Sequence, residues 1–206
     1  MFITFEGPDG GGKTTQLRLL ASGLEKRGYS ICKTREPGGT AIGDAVRSIL
    51  LDSANHQMSD RAEALLFNAA RAQLIDQVMR PALDQGHIVL SDRFAESTLA
   101  YQGYGRGQSL TTLRQVIEFA TNQLRPDLIV YLEIDPQLGL RRKAADASEW
   151  NRIEEQTLAF HQAVHQGYLQ LASENPDRWL IVDAEESIEQ VQQAIWSHVE
   201  QLILDD

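Results

Sequence analysis

Residues 7 to 14 read Gly-Pro-Asp-Gly-Gly-Gly-Lys-Thr, directly behind the apolar run Met1-Phe2-Ile3-Thr4-Phe5. Gly7, four further residues and then Gly12-Lys13-Thr14 is the spacing of a phosphate-binding loop. The chemistry follows from the residue types. Glycines let backbone N–H groups close around phosphate oxygens. Lys13 supplies a point charge for β- and γ-phosphates, and Thr14 supplies a hydroxyl ligand for Mg²⁺. A helix that starts near Gly12 adds the positive end of its dipole. A glycine-rich turn without function is a poor account, since chance produces this pattern in well under ~1 in 100 chains of this length. Leu17, Leu20 and Leu24 follow at helical spacing, so the loop has the required strand before it and helix after it.

Three more segments carry chemistry. Arg35-Glu36-Pro37-Gly38-Gly39-Thr40 has the composition of a rigid, close-approach loop. Arg35 stands where a strand should end and so is placed to meet an anion; the plainer alternative is a surface arginine paired with Glu36. Asp92-Arg93-Phe94 ends another apolar run. Asp92 there can join a Mg²⁺ shell, and Arg93 suits bidentate phosphate recognition. Behind it, Ser97, Tyr101 and Gln102 fall near one face of a short helix and offer hydroxyl, ring and amide groups to a sugar or a base edge. Phe67 and Arg71 are spaced i, i+4 and share a helix face, where a ring and a guanidinium could stack a base and bond its carbonyl edge.

The elements that position these residues alternate. Apolar strand candidates are Phe2–Phe5, Ser30–Thr34, Ile88–Leu90, Leu128–Ile134 and Trp179–Val182, with helical patterns at about 13–27, 41–52, 60–84, 110–123, 136–147, 151–174 and 186–203. Alternation of this kind means a parallel sheet covered by helices on both faces. The expected fold is an α/β, three-layer α/β/α sandwich of the P-loop NTPase type, with a five-stranded parallel sheet and a small lid. The strand runs are nearly continuously apolar, as for strands buried on both faces. Ligands in such folds sit at the carboxyl ends of the strands, where the motifs fall.

The bulk numbers narrow the function. With 206 residues the chain suits one α/β domain, spanning 1–206. A net charge of −10 argues against a nucleic-acid-binding surface. The single cysteine, Cys32, leaves no internal disulfide or cysteine metal cluster, and its predicted strand gives it a buried packing role. No apolar run approaches membrane-spanning length. The phosphate loop begins too early to leave room for a signal peptide, so the cytoplasm is the expected location. No Asn-Lys-x-Asp guanine reader is present, which argues against a guanine-nucleotide switch.

Taken together these segments resemble the thymidylate kinase family across essentially the whole chain. The matching stretches are Phe5-Glu6-Gly7 through Thr14-Thr15, Arg35 through Thr40, Leu65 through Arg71, Asp92 through Gly103, and Pro126-Asp127-Leu128. The resemblance implies transfer of the γ-phosphoryl of ATP to dTMP, with Mg²⁺ and a homodimer. Gly7, Pro8, Asp9, Gly10, Gly11, Gly12, Lys13, Thr14 and Thr15 would bind ATP, and Thr14 and Asp92 would hold the metal. Phe67 would stack on thymine and Arg71 would bond its O4. Arg35 and Arg93 would hold the dTMP phosphate, Asp9 the 3′-hydroxyl, and Pro37 would line the acceptor pocket with Ser97 and Gln102. Tyr101 would lie where a 2′-hydroxyl would clash. The nearest alternative is another nucleoside or nucleotide kinase on the same frame, against which the Arg35–Thr40 loop argues.

In one subgroup of that family an arginine within the phosphate loop reaches the transferred group; Gly10 stands there in this chain. In the other subgroup the charge comes from a lid, here about 141–152. Arg142 is the first candidate, beside Lys13 and Arg93 as catalytic cations, with Lys143 and Arg152 as rivals. The middle of this lid has no basic residue, and Asn151 stands where relatives usually carry aspartate.

Overall fold

Parallel strands cannot be joined by tight turns, and each crossover in this chain contains at least one helix. The computed structural model describes residues 1–145 and 150–204. The strands are β1 (Phe2–Glu6), β2 (Ile31–Arg35), β3 (Ile88–Asp92), β4 (Leu128–Glu133) and β5 (Trp179–Asp183). They form one five-stranded parallel sheet in the order β2-β3-β1-β4-β5. The helices are α1 (Lys13–Lys26), α2 (Ala41–Leu51), α3 (Asp60–Leu74), α4 (Arg80–Asp84), α5 (Ala95–Thr98), α6 (Leu110–Thr121), α7 (Pro136–Ala144), α8 (Leu158–Glu174) and α9 (Ile188–Leu204).

Side chains alternate across a strand, so β1 feeds two cores. Ile3 and Phe5 face α1 and α9, packing with Leu17, Leu20, Val191 and Ile195. Phe2 faces the other layer with Leu74 of α3, Ile117 of α6 and Tyr168 of α8. The expected three layers are present. The same alternation places Glu6 on the Phe2 side, beneath α8. Among the described residues no helix is long and apolar enough to cross a membrane.

Some elements depart from expectation. Burial on both faces holds for β1, β3 and β4, whereas β2 and β5 are edge strands with exposed positions. Cys32, on β2, is accordingly only half-buried. The helix expected at 60–84 is continuous in path but widens to π turns over Ile75–Met79 before α4. Pro81 lacks an N–H, and its ring would clash with the carbonyl four residues back, so the ladder loosens there. The helix expected at 151–174 starts only at Leu158, capped by Thr157. The Asn151 Oδ1 accepts from the Ile153 N–H and the Glu154 carboxylate accepts from the Asn151 N–H, which closes a turn in place of a helix.

Register aligns the functional ends. Phe5 and Arg35 both pair with Asp92, so the loops after β1, β2 and β3 emerge side by side. The Arg93 N–H donates to the Phe5 carbonyl, and the Glu36 N–H to the Asp92 carbonyl. On the other side the phosphate loop presses on α7. Gly10 has φ +82, and a Cβ there would lie 2.1 Å from the Gly139 carbonyl oxygen. Reciprocally, a Cβ on Gly139 would lie 2.7 Å from the Asp9 carbonyl oxygen. An arginine at position 10 is therefore excluded by helix α7 itself. Gly139→Ala should force α7 from the loop at a cost of about 1–3 kcal/mol, read as a lower urea midpoint together with weaker ATP binding.

Candidate active site

The carboxyl ends of β1, β2 and β3 border a cleft of about 850 Å³. Its donor side is the loop from Asp9 to Thr15. Lys13 is buried and its ammonium donates to the Gly7 and Pro8 carbonyls at 3.0 and 2.8 Å. Burial and the neighbouring Arg93 lower its pKa, against the pull of Asp9. Asp9, Gly10, Gly12, Lys13, Thr14 and Thr15 line the cleft, while Gly7, Pro8 and Gly11 form the base of the loop. The Thr14 hydroxyl donates to the Asp92 carboxylate at 2.6 Å. Two hard oxygen donors at that spacing suit Mg²⁺, which takes one or two protein ligands and completes its shell with water and phosphate oxygens.

Arg93 sits at the centre. Its φ of +75 is in the left-handed region, costly for any residue that carries a Cβ and held here by its side-chain partners. Nη2 donates to Asp9 at 2.8 Å and to the Tyr101 hydroxyl at 3.2 Å; Nη1 donates to Ser97 and to Tyr168. Ser97 and Tyr168 in turn donate their protons to Glu6, at 2.6 and 2.9 Å, and so can only accept from Arg93. Glu6 also accepts from the Phe94 N–H at 2.7 Å. Burial alone would raise the Asp9 pKa, but Arg93 and then Lys13 hold it well below the usual carboxylate range. Burial raises the Tyr101 phenol above its ordinary value, so it remains a neutral O–H.

The acceptor side gathers Arg35, Pro37, Phe67, Ser97, Tyr101 and Gln102, all lining the same cleft. Arg35 is exposed and pairs with Asp44 at 3.2 Å rather than with Glu36. Arg71 is placed differently from its sequence expectation. It is 1% exposed and lies behind the wall, with every N–H engaged by Glu36, Asn68, Thr98 and the Phe94 carbonyl. Of those partners, Glu36 and Thr98 line the cleft. Burial, against the attraction of Arg71, pushes Glu36 up to about 7.

The lid residues divide. Arg142 and Lys143 line the cleft, and the Arg142 guanidinium donates to the Ala184 carbonyl at 2.8 Å. Arg152 does not: it is buried, bonded to the Leu50 carbonyl and ion-paired with Glu63 at 2.6 Å. In this arrangement it braces the wall from behind. Asp146, Ala147, Ser148 and Glu149 of the expected lid lie outside the described residues.

Motif spacing did not single out Glu6, Tyr168, Glu63, Arg18, Arg47 or Glu154. Glu6 carried one signal, an ionisable residue ending an apolar strand; Arg18 follows the loop on α1, Arg47, Glu63 and Tyr168 come from α2, α3 and α8, and Glu154 from the turn before α8. A second cavity of about 570 Å³ lies beyond β4 and β5. Glu133, Asp135, Asp183 and Glu185 line it, so it would repel a polyphosphate that the larger cleft attracts.

Arg152→Ala should destabilise the fold by roughly 3 kcal/mol, because it strips a partner from a buried carboxylate. Urea unfolding measures this, and unchanged stability with lost turnover would return Arg152 to the catalytic set. Glu154 lines the cleft, and burial, then the nearby Asp9 charge, raise it from an ordinary 4.5 to about 7. Within that window the folded chain holds a proton that the unfolded chain has released, so stability falls as pH rises through it. Glu154→Gln should flatten that part of a stability–pH profile.

A model of the thymidylate kinase family matches residues 5–195. Thymidylate kinases of Roseiflexus sp. (strain RS-1) and Gloeobacter violaceus are 48% and 50% identical, each alignment covering 97% of this chain and 93% or 94% of the relative. The crystal structure of thymidylate kinase from Ehrlichia chaffeensis superposes with a TM-score of 0.80 at 32% identity, covering 97% of this chain and 98% of that one. A cleft assembled from a phosphate-loop sequence, a central arginine and a wall with aromatic side chains thus agrees with a likeness that runs the length of the sequence, and the chain belongs to the thymidylate kinase family.

Proposed function

We propose that the chain transfers the γ-phosphoryl of ATP to dTMP, giving dTDP and ADP, and that residues 1–206 act as one nucleotide-kinase domain with a lid at about 141–152. The observation that carries this is the meeting of two anion-binding groups in one cleft. Arg93, on the acceptor side, and Lys13, on the donor loop, both pair with Asp9, at 2.8 and 3.7 Å. Phosphoryl transfer needs in-line placement and charge neutralisation more than covalent chemistry.

Each side chain then has a task. Gly10, Gly12 and Thr15 frame the ATP phosphates with Lys13, and Thr14 and Asp92 hold Mg²⁺. The bound ion supplies further neutralisation at the phosphate oxygens. Arg35 and Arg93 hold the dTMP phosphate. Asp9, ionised, accepts the 3′-hydroxyl; Tyr101 closes the space a 2′-hydroxyl would need; Phe67 stacks the base against Pro37, Ser97 and Gln102. Arg71 reaches the base O4 only by giving up a wall partner; of the two that line the cleft, Glu36 and Thr98, Thr98 is the neutral one. Arg142 leaves the Ala184 carbonyl for the transferred group, with Lys143 beside it. The expected setting is the cytoplasm.

The reading includes a homodimer, which exposed apolar side chains on three helices of one layer support. Ile42 and Ile49 of α2, Leu65 of α3 and Phe119 of α6, the last 90% exposed, await cover. Light scattering that gave a monomer at micromolar concentration would overturn this.

A substrate panel tests the activity: turnover of dTMP below that of thymidine or UMP would overturn it. Lys13→Ala should lower kcat by ~10²-fold or more with the fold intact by circular dichroism. Arg142→Ala should lower kcat more than it raises KM for dTMP, and a normal rate would move the task to Lys143.

A further inference from the structure

Glu63, on α3, is fully buried and faces the acceptor wall from behind. Its Oε1 accepts from the Gln102 Nε2 at 2.8 Å. Arg106 donates to both carboxylate oxygens, at 3.3 and 3.1 Å, and Arg152 pairs with Oε2 at 2.6 Å. Burial would raise the Glu63 pKa, yet the bonds from Arg106 and Gln102 bring it below its ordinary value. Gln102 itself is 1% exposed and lines the cleft. Among the described residues its Oε1 accepts no hydrogen bond, and that oxygen keeps some accessible surface.

We propose that Glu63 is a positioning residue that sets base selectivity, by locking the Gln102 amide so that the cleft meets a carbonyl oxygen and no N–H. An ionised carboxylate has no proton to give, so only the NH₂ end of an amide can face it. The carbonyl must then point the other way. Thymine offers a single N–H on its hydrogen-bonding edge, at N3, which a fixed carbonyl accepts. Cytosine offers a bare N3 lone pair, which that carbonyl repels. A glutamine free to rotate its amide would serve both bases and select neither. Selectivity therefore resides in Glu63 as much as in the side chain that touches the base. In Glu63→Gln, Arg106 and Arg152 would claim the new carbonyl oxygen. The new NH₂ would face Gln102, turn its amide over, and show the cleft a donor.

The proposal rests on dTMP being the acceptor, and the experiment separates the two. The full chain is assayed with dTMP, dCMP and the 3-deaza analogue of dTMP, in which C–H replaces N3–H. Four forms are compared: unaltered, Glu63→Gln, Gln102→Leu and the double variant. The unaltered enzyme should favour dTMP over the 3-deaza analogue by roughly tenfold in KM. Glu63→Gln should lose most of that preference and shift the dTMP to dCMP ratio of kcat/KM by roughly tenfold toward dCMP, with KM for ATP unmoved. In the Gln102→Leu background, Glu63→Gln should change base preference no further. A purely structural Glu63 would weaken dTMP, dCMP and the analogue alike, and that outcome overturns the proposal, as do unaltered ratios in Glu63→Gln. Should Glu63→Gln fail to fold, Glu63→Asp keeps the charge and withdraws it by one methylene; undiminished dTMP preference there overturns the proposal equally. Absence of dTMP turnover in the unaltered enzyme overturns the activity, whereas turnover with equal use of both thymine forms overturns only the role of Glu63.

Discussion

The site depends on one buried carboxylate. Glu6 ends β1, points into the layer beneath α8, and accepts from the Phe94 N–H, Ser97 and Tyr168. Removing a carboxylate from water is costly unless donors surround it. These three donors come from the β3 turn, α5 and α8, so satisfying Glu6 draws separate parts of the chain to one point. The turn that follows β3 is thereby held in a conformation that puts Arg93 into the left-handed region and aims its guanidinium at Asp9. Parallel register does the rest, since pairing of Phe5 with Asp92 sets the phosphate loop and Arg93 at the same level.

The charge of the chain as a whole is a poor guide to its cleft. The net −10 lies mostly on outer surfaces, while Lys13, Arg18, Arg35, Arg47, Arg93, Arg142 and Lys143 converge on the cleft. Like charges at close range need acids between them. Asp9 bridges Lys13 and Arg93, and Glu63 joins Arg106 to Arg152 behind the wall. Low dielectric strengthens both the repulsion among the cations and their pull on a polyphosphate. Two other acids of the cleft, Glu36 and Glu154, carry pH sensitivity near neutrality, because burial outweighs their partners and raises both to about 7.

Glycine enters as contact rather than as flexibility at the boundary of loop and lid. Gly10 and Gly139 let the phosphate loop and α7 approach until a methyl group on either would meet backbone. The helix that carries Arg142 and Lys143 is therefore built onto the loop that carries Lys13. A lid arginine and a loop arginine are alternatives here for a steric reason.

Much was legible before any coordinates. Loop spacing is a local property, so Gly7 to Thr14 announced a phosphate site, and apolar periodicity announced a parallel sheet with helices on both faces. Arg35, Asp92 and Arg93 were found because strands of such a sheet end on one side. What remained hidden depends on groups far apart in sequence. Arg71 has the same spacing from Phe67 with or without four wall partners, and only packing supplies those partners. Arg152 reads as a lid cation until Glu63, 89 positions earlier in the numbering, claims it. Edge strands read like central ones, because burial depends on neighbours that the strand does not encode. The sequence by itself determined the chemistry available and the order of the elements, through short-range spacing and periodicity. Only the tertiary structure decided which charges face the cleft and which satisfy one another, because that choice is made by desolvation and by partners brought together across the fold.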